Sequence, residues 1–525
     1  MKKLLLLLLC TAMVFSLFSG CAAEDTPYEP TGNALAPEDA DVNATVPEES
    51  DEEQKFSLVY YPKRSMNPTI ATDYTNRMLF SLIYQGLFFV DSNNQAVPIL
   101  CKNYKFSTDS RTFTFFLMDD ARFSDGTPVT VEDVMATYNA ALKSTYYSGR
   151  FVHVKQILIS DEGGVSFKLS NPIADLPLLL DVPIVKAEDV EAAHPRGTGP
   201  YIYFEGSEGP TLNRLEHWWG GVEVPTKAKV VNLIEAKTPA QVRDEFEFGD
   251  VGLVVANPLS DSYADFRSDF ELWNIDSGVM LYLGCNILYS DYFEDGKLRT
   301  VLTYAIDRDT IIEENYHDHA LASTLATSPN SIHYNPALAE KYAFDPLKFI
   351  DFISGWNIPT DKDNPNREMV LLVNSDDSAR LRTARDIAAT LTEYGLPTAT
   401  LECSGNNYVD VLKANNWDIY LGQTRLPPNQ DLSEFFRLWG NLSWGGLPNE
   451  NILELCKDSL ENSGNNYNLL AKLADDGRII PILFGQHAVY AERGAFTNLN
   501  PARDNAFFYT MGRTMNEIQI DTVYN

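Results

Sequence analysis

The chain has 525 residues, of which 44% are hydrophobic, and a formal net charge of −32 at pH 7. This length is enough for two or three domains with sizeable apolar cores. The acidic balance argues against a nucleic-acid partner, because neutralising phosphates requires clusters of Lys and Arg. The overall field also disfavours an acidic solute and weakly favours a cationic one.

The N-terminus has the layout of a bacterial secretory signal peptide. Lys2 and Lys3 precede an apolar stretch that is shorter than the roughly 20 apolar residues a spanning helix needs. Small residues then stand directly before Cys21, and the sequence Phe-Ser-Gly-Cys at 18–21 resembles a lipobox. We therefore predict a signal peptide at 1–21 with lipidation at Cys21. The alternative is a plain signal peptide with an incidental cysteine.

The segment 22–54 is predicted to be an acidic, disordered tether. It is rich in Ala, Pro, Thr, Asp and Glu and contains no Lys or Arg. Such a segment buries too little apolar surface to offset the entropy of ordering, and its like charges extend it. A disordered N-terminus without a role is the alternative.

Strand-like and helical segments alternate along the rest of the chain. In chain order we predict a strand at 56–61, a helix at 75–87, two strands within 98–117, a helix starting at 131, strands at 165–169, 201–204 and 229–234, a helix at 239–248, strands at 251–255 and 280–286, a helix at 297–314, a strand at 369–374, a helix at 378–394, a strand at 417–422, a helix at 469–475 and a strand at 479–484. Thr130 is the predicted N-cap of the helix at 131, with Asp133 completing a capping box. This alternation favours an α/β fold.

Cysteine and histidine usage points away from a metal centre. Cys101, Cys285, Cys403 and Cys456 are far apart and form no C-x-x-C, so the chain is neither a disulfide scaffold nor a zinc ribbon. We expect Cys101 and Cys285 to behave as small hydrophobic residues. The sequence does not decide whether Cys403 and Cys456 form a disulfide.

The one close histidine pair is His317 and His319, and the chain has only seven histidines. A metal site needs further ligands in defined geometry. We predict no metal site and no cofactor.

A series of short motifs runs from residue 66 to residue 308. They are Met66-Asn67-Pro68, Leu82-Ile83-Tyr84-Gln85-Gly86-Leu87, Phe123-Ser124-Asp125-Gly126-Thr127-Pro128-Val129-Thr130-Val131-Glu132-Asp133-Val134, Gly197-Thr198-Gly199-Pro200-Tyr201, Trp218-Trp219-Gly220-Gly221 and Arg299-Thr300-Val301-Leu302-Thr303-Tyr304-Ala305-Ile306-Asp307-Arg308. In this order they resemble the extracellular solute-binding protein family 5, the oligopeptide-, dipeptide- and nickel-binding lipoproteins of ABC importers. Most of these residues are of the types that form turns and helix caps, so we predict that they stabilise the fold and assign them no ligand contact.

The resemblance implies a two-lobed, periplasmic-binding-protein-like α/β fold of type II, cluster C, with an extra subdomain in lobe one. Mapped onto this sequence, lobe one comprises 55–95, 196–284 and 482–525. The subdomain is 96–195 and lobe two is 285–481. The strands at 280–286 and 480–484 are the hinge candidates.

The resemblance also implies a receptor that captures a small molecule, with a peptide as the first expectation, and delivers it to an ABC permease and ATPase complex. We expect a monomer without enzymatic activity, since the chain has no hydrolase, metalloprotease or nucleotide-binding motif. The expected location is extracytoplasmic, with a lipid anchor in the cell membrane, either on the outer face of a Gram-positive cell or in a periplasm. The alternatives are a receptor for a metallophore, nickel chelate or other small solute, and a sensory ectodomain that has lost transport.

The ligand site departs from the family pattern. In peptide-binding members an acidic residue beside a Trp pairs with the peptide amine, shortly after the strand equivalent to 417–421. The stretch 422–431 lacks both residues where they are expected, which leaves Asp431 as a substitute. Arg425 is a candidate for binding a ligand carboxylate or phosphate, and a salt bridge is its alternative role. The further candidates, chosen by position, are Arg64, Tyr282, Asn286, Trp444 and Tyr509.

Overall fold

The computed structural model describes residues 56–523, except for 222–223, 225, 227, 261–262, 264, 268, 360–366, 463–465 and 497–498. The predicted signal peptide, Cys21 and the tether at 22–54 lie outside the described residues. Within the described part, no helix has both the length and the apolar character needed to cross a bilayer.

The strands and helices alternate along the chain, which confirms the predicted α/β class. The strands are β1 (Phe56–Tyr60), β2 (Phe88–Val90), β3 (Ala96–Pro98), β4 (Cys101–Ser107), β5 (Thr112–Leu117), β6 (Val154–Ile159), β7 (Val165–Leu169), β8 (Tyr201–Gly206), β9 (Gly209–Arg214), β10 (Val230–Glu235), β11 (Leu253–Ala256), β12 (Phe270–Cys285), β13 (Ala320–Ala322), β14 (Met369–Asn374), β15 (Thr398–Cys403), β16 (Ile419–Arg425), β17 (Ile479–Glu492) and β18 (Ile520–Val523). The α-helices are α1 (Tyr74–Arg77), α2 (Phe80–Ile83), α3 (Val131–Ala141), α4 (Pro239–Phe248), α5 (Lys297–Val301), α6 (Arg308–Tyr316), α7 (Pro336–Glu340), α8 (Pro346–Gly355), α9 (Ser378–Glu393), α10 (Gly405–Ala414), α11 (Ser433–Phe436), α12 (Glu450–Glu461) and α13 (Asn466–Asp476).

Two long strands form the centre of an eleven-stranded sheet, whose order is β15-β14-β16-β12-β17-β11-β1-β10-β9-β8, with β13 beside β17. β12 and β17 pair antiparallel, from Phe270 opposite Glu492 to Gly284 opposite Ile479. One end of β17 also pairs with β11, and the later half of β12 pairs with β16. The central strands therefore belong to both halves of the sheet. The predicted strands at 280–286 and 480–484 lie within β12 and β17, and their role as hinges stays a prediction.

Separate apolar clusters support the two halves of the sheet. The first half, from β11 to β8, packs through Leu58, Val231 and Leu253 in one cluster. The second half, from β15 to β12, packs through Leu371 and Leu421 in another. β17 is buried at every position except its last, which matches its almost continuous apolar sequence.

A second sheet of five strands has the order β18-β4-β5-β7-β6. With α3 it encloses its own apolar cluster, which includes Phe115, Val134 and Phe167. The C-terminal strand β18 runs parallel to β4, with Ile520 opposite Tyr104. The end of the chain therefore returns to the sheet of the predicted subdomain at 96–195, while the subdomain boundaries themselves stay predictions.

The single helix predicted at 297–314 is wrong, because the structure divides it. α5 is followed by a 3-10 turn at Leu302–Ala305, and α6 then starts anew. Asp307 interrupts the helix because its side chain accepts from the amide of Thr310 and so acts as an N-cap. The buried Arg308 guanidinium donates to the carbonyl oxygens of Thr303, Ile306 and Pro481, so it holds the broken backbone in place.

The helix predicted at 75–87 is also shorter than expected. The chain forms two single turns, α1 and α2, and becomes extended at Tyr84 before β2 begins. Its apolar residues are buried at almost every position rather than along one stripe, so a helical period could not distinguish a helix from buried irregular chain.

The predicted cap of α3 is confirmed. Thr130 accepts from the amide of Asp133, and the Asp133 carboxylate accepts from the amide of Thr130 at 2.9 Å, which completes the capping box. The cysteine predictions are resolved as well. Cys101 and Cys285 are fully buried, and Cys403 and Cys456 are free buried thiols, so the disulfide that the sequence left open does not form.

Candidate functional site

Charged side chains from distant parts of the chain meet beside the central strands. Arg425 ends β16, Arg150 lies in a 3-10 turn at Ser148–Phe151, and Asp504 lies in the segment after β17. Together with Arg77, Arg503 and Asp181 they form what we call the arginine cluster, with four arginines and two aspartates.

Arg425 is held at both ends of its guanidinium. Nη2 donates to both carboxylate oxygens of Asp504 at 2.6 Å, and Nε donates to the carbonyl oxygen of Ser277 at 3.0 Å. The Tyr146 ring lies under the guanidinium, 4.9 Å from ring centroid to Cζ. A quarter of the Arg425 side chain stays exposed. The salt bridge that the sequence left as the alternative role of Arg425 is therefore present, and it leaves part of the cation accessible.

Asp504 pairs with more than one arginine of the cluster. It also accepts from Arg150 at 3.3 Å and from the Tyr146 hydroxyl at 2.9 Å. Burial alone would raise the pKa of Asp504, but the charges of Arg425 and Arg150 outweigh it and hold the pKa well below its usual range. The carboxylate is therefore ionised at neutral pH.

The positive charge of the cluster exceeds the negative charge. Arg150 pairs with Asp181 as well as with Asp504, and its side chain is only 5% exposed. Burial, together with repulsion from Arg425, lowers the pKa of Arg503 to about 10. Four guanidinium groups against two carboxylates give a local net charge of +2 within an acidic protein.

A cavity of about 200 Å³ lies against this cluster. Its walls include Arg150, Arg425 and Arg503, and the acidic residues Asp431 and Glu434. A second cavity of about 240 Å³ shares Leu426 and Arg503 with it and is lined mainly by polar groups. The first cavity is lined by Thr424 and Arg425 of β16 and by Arg503 from the segment after β17. The second is lined by residues of both central strands, among them Asn274 of β12 and Phe484 of β17.

Asp431 lines the first cavity but already has partners. Its Oδ2 lies 3.0 Å from Nε2 of His153, and its Oδ1 accepts from the amide of Ser433 at 2.8 Å. Nδ1 of His153 lies 3.1 Å from the Asn171 amide nitrogen. Burial would raise the pKa of Asp431, but the bond with His153 lowers it.

The remaining predicted site residues lie elsewhere. Tyr282 is buried, receives a hydrogen bond from the Tyr420 hydroxyl and packs on Phe435. Asn286 is fully buried and donates to the carbonyl oxygens of Trp417 and Asn415. Neither residue lines the two cavities, so the structure gives both a packing role.

Three further candidates also stand apart from the cavities. Tyr509 is 5% exposed and packs edge-on against Phe89 and Trp218. Trp444 is partly buried against the apolar cluster below β16, and Arg64 is exposed. Among the predicted residues, the structure thus brings together only Arg425 and Asp431.

The sequence did not indicate Arg77, Arg150, Arg503, Asp504 or His153. The available signal is a lone charge beside aromatic residues, as in Tyr146-Tyr147 followed by Arg150-Phe151. That signal is too common to select a site. The two close histidines both contact the Tyr263 ring but differ in their other partners: His319 is buried against Tyr490 and Asn274, whereas His317 faces Asp265. No group of potential metal ligands occurs among the residues that the structure describes.

Known proteins resemble this chain in sequence and in fold. The nickel-binding periplasmic protein of Escherichia coli (strain K12) is 26% identical over 328 residues, 57% of this chain and 60% of that protein, so the match spans about 60% of the relative's length. The ABC transporter substrate binding protein CtaP of Listeria monocytogenes superposes with a TM-score of 0.70 at 19% identity, covering 88% of this chain and 99% of that one. A putative peptide binding protein, AppA, of Clostridium difficile gives a TM-score of 0.70 at 17% identity, covering 87% and 99%.

These superpositions show that the chain has the two-lobed fold of periplasmic binding proteins. The family model for bacterial extracellular solute-binding proteins, family 5 Middle, matches residues 95–446. That match covers more than half of the chain and includes β16 and Arg425. The chain therefore belongs to the bacterial extracellular solute-binding proteins of family 5.

Proposed function

We propose that the protein is the solute-binding receptor of an ABC importer and that it captures a peptide whose carboxylate binds at the arginine cluster. One observation carries the proposal: Arg150, Arg425 and Arg503, from different parts of the chain, line a single cavity. The proteins it resembles in fold include a putative peptide binding protein.

The chemistry of the cluster suits a carboxylate. An arginine guanidinium is planar and can form two parallel hydrogen bonds to one carboxylate. Nη2 and Nε of Arg425 already hold Asp504 and Ser277, so Nη1 is the donor that a solute would engage. The local charge of +2 attracts an anion at short range, even though the net charge of −32 disfavours one at long range.

The family's amine anchor has no free equivalent in this cavity. Asp431 is bound to His153, and Glu434 accepts from Arg437 and from the amide of Asn441. A peptide amine would have to share one of these carboxylates. The carboxylate end of the solute is therefore the expected primary anchor.

Transport follows from the two-lobed fold. A solute that contacts both lobes shifts the population toward the closed form. The closed receptor then delivers its solute to a permease and ATPase complex, while lipidated Cys21 holds the monomer on the extracytoplasmic face of the membrane. The solute leaves unaltered, so no chemical step is assigned to the site.

A thermal-shift panel tests the proposal. It contains di- to octapeptides, the same peptides with amidated C-termini, single amino acids, and nickel with and without small chelators. A ligand at 100 times its Kd adds about 2.7 kcal/mol to stability, which raises Tm measurably. We expect free-acid peptides to raise Tm and amidated ones to fail.

The variant Arg425→Ala should abolish this peptide-dependent shift. Arg367→Ala is the matched control, because Arg367 is 28% exposed and pairs at 2.7 Å with the buried Asp418, away from both cavities. If both variants lose the shift equally, the carboxylate anchor is wrong. Shifts with chelated nickel alone would instead make the protein a metal-chelate receptor.

A further inference from the structure

A further, smaller cavity lies against the arginine cluster, beside Arg77, Asp181, Arg503 and Asp504. Its volume is about 30 Å³, enough for one particle the size of a water molecule or a halide ion. Its wall contains the polar residues Arg77, Ser81, Arg503 and Asn505 and the carboxylates of Asp181 and Asp504, and aromatic and aliphatic residues complete it. The cavity lies where α1, α2 and the C-terminal segment meet.

Several polar atoms of these wall residues are buried without a hydrogen-bond partner among the described residues. They are Nε of Arg77, Nε of Arg503, Oγ of Ser81 and both amide atoms of Asn505. Asn505 as a whole is only 6% exposed. Buried polar groups are almost always hydrogen-bonded, so this concentration around one cavity requires a common partner.

The unpartnered atoms are mostly donors. Two guanidinium N–H groups, a hydroxyl and an amide NH₂ can all donate, and the Asn505 carbonyl oxygen is the one pure acceptor. A water molecule can accept about two hydrogen bonds and must donate the others. An anion accepts from every donor at once, so this donor set fits an anion better than water.

The charge balance points the same way. Arg77 donates to the Tyr147 hydroxyl and to the carbonyl oxygens of Pro68 and Ala71, and Arg503 donates to the carbonyl oxygen of Leu426. Within the described residues neither arginine has a carboxylate in salt-bridge contact. Both Asp181 and Asp504 line the cavity, but their direct ion pairs are with Arg150 and Arg425. Two buried guanidinium charges are thus left without a direct counter-ion, which is costly in a protein interior.

We propose that this cavity binds one small inorganic anion of halide size, with Arg77, Ser81, Arg503 and Asn505 as its donors. The ion supplies a counter-charge to the buried guanidinium groups of Arg77 and Arg503. The site shares Arg503 with the proposed solute cavity but is otherwise lined by different residues, and it does not depend on the proposed function.

Crystals of the protein soaked or grown in sodium bromide test the site without any substitution. We expect one anomalous bromide peak in this cavity. In solution, Tm at constant ionic strength should rise as sodium bromide or chloride replaces sodium gluconate, whose anion is too large to enter. Ordered water without anomalous signal, together with a Tm that is independent of halide, would overturn the proposal.

A pair of serine variants separates a specific site from a general salt effect. Ser81→Ala removes one donor from the cavity. It should raise the halide concentration at the midpoint of the Tm titration about tenfold, as expected for the loss of one hydrogen bond to a charged group. Ser124→Ala removes another buried hydroxyl without a partner, outside this cavity, and should leave the midpoint unchanged. Equal midpoints in the two variants would show that Ser81 does not bind the ion.

Discussion

Both carboxylate oxygens of Asp504 lie 2.6 Å from Nη2 of Arg425, although 79 positions separate the two residues in the chain. Arg425 ends β16, in the predicted lobe two, and Asp504 lies in the segment after β17, in the predicted lobe one. The pair therefore joins the two predicted lobes. Because Arg425 also lines the first cavity, the same contact positions the charge that we propose binds the solute.

We expect Asp504→Asn to lower the free energy of unfolding by about 3 kcal/mol. Removing one partner of a buried ion pair leaves the other charge buried and uncompensated. Urea unfolding at pH 7 measures the loss. Asp269→Asn is the control, since its pair with Arg493 is largely exposed (77% and 64%) and should contribute less than about 1 kcal/mol. Similar losses in the two variants would show that the ion pairs of Asp504 are not an important source of stability.

The buried His487 should make stability depend on pH. Its ring packs against Tyr74, with centroids 3.6 Å apart, and burial together with repulsion from Arg425 lowers its pKa to about 3. An unfolded histidine titrates near pH 6.5. Between these values the unfolded state binds a proton that the folded state does not, so stability falls as the pH is lowered from 6.5 toward 3.

His487→Phe keeps an aromatic ring against Tyr74 but removes the titrating group. Urea midpoints between pH 7 and pH 4 should therefore fall less steeply in the variant than in the wild type. The difference can reach about 1.4 kcal/mol per pH unit. Parallel curves would mean that His487 titrates normally in the folded protein.

The two residues of the α3 capping box should differ in how much their substitution destabilises the protein. Thr130→Ala should cost about 1 kcal/mol, the typical value for a lost N-cap. Asp133→Ala should cost more, about 2 kcal/mol, because Asp133 also accepts from the amide of Ala187 at 2.8 Å and its loss leaves that donor unsatisfied. Equilibrium unfolding in urea gives both values, and the reverse order would argue that the bond to Ala187 contributes nothing.

Gly197 and Gly199 should tolerate no side chain. A Cβ on Gly197 would overlap the carbonyl oxygen of Ile83, which is backbone and cannot rotate away. We expect Gly197→Ala to cost about 3 kcal/mol or more in thermal unfolding. Gly355, in the last turn of α8, has open space around its Cβ position, so Gly355→Ala should stay within about 1 kcal/mol of the wild type or stabilise it. Comparable Tm values for the two variants would contradict this packing.

Elements with strong local signals were predicted closely. The helix at 239–248 agrees with α4, which has Thr238 as its cap and Pro239 at its first position. The strand at 369–374 agrees with β14. The helix at 297–314 failed because an apolar period does not show that Asp307 will cap a new helix or that Arg308 will bind the carbonyl oxygens freed by the break.

The site was predicted only in part. Arg425 and Asp431 follow the predicted strand at 417–422, after which the family resemblance implies a ligand-binding residue, so position along the chain was enough to select them. Tyr282 and Asn286 lie on or directly after the predicted central strand, but their side chains face packed neighbours rather than the cavities. Side chains on a strand alternate between two faces, and packed residues cover both faces of the later half of β12. The sequence alone therefore did not show which face is directed toward the cavities.

By itself the sequence determined the α/β class, most strands and the capped helices, because these depend on periodicity, caps and turns within about ten residues, and its short motifs carried the resemblance to the family. Only the tertiary structure decided that Arg77, Arg150, Arg425 and Arg503 surround Asp504, and that Asp431 already holds His153. Each of these residues is an isolated charge in the chain. Their grouping follows from the pairing of β16 with β12 and from the path of the segment after β17, which brings Asp504 to Arg425 and Arg150. Ion pairs and cavities form between residues far apart in sequence, so no local pattern of residues encodes them.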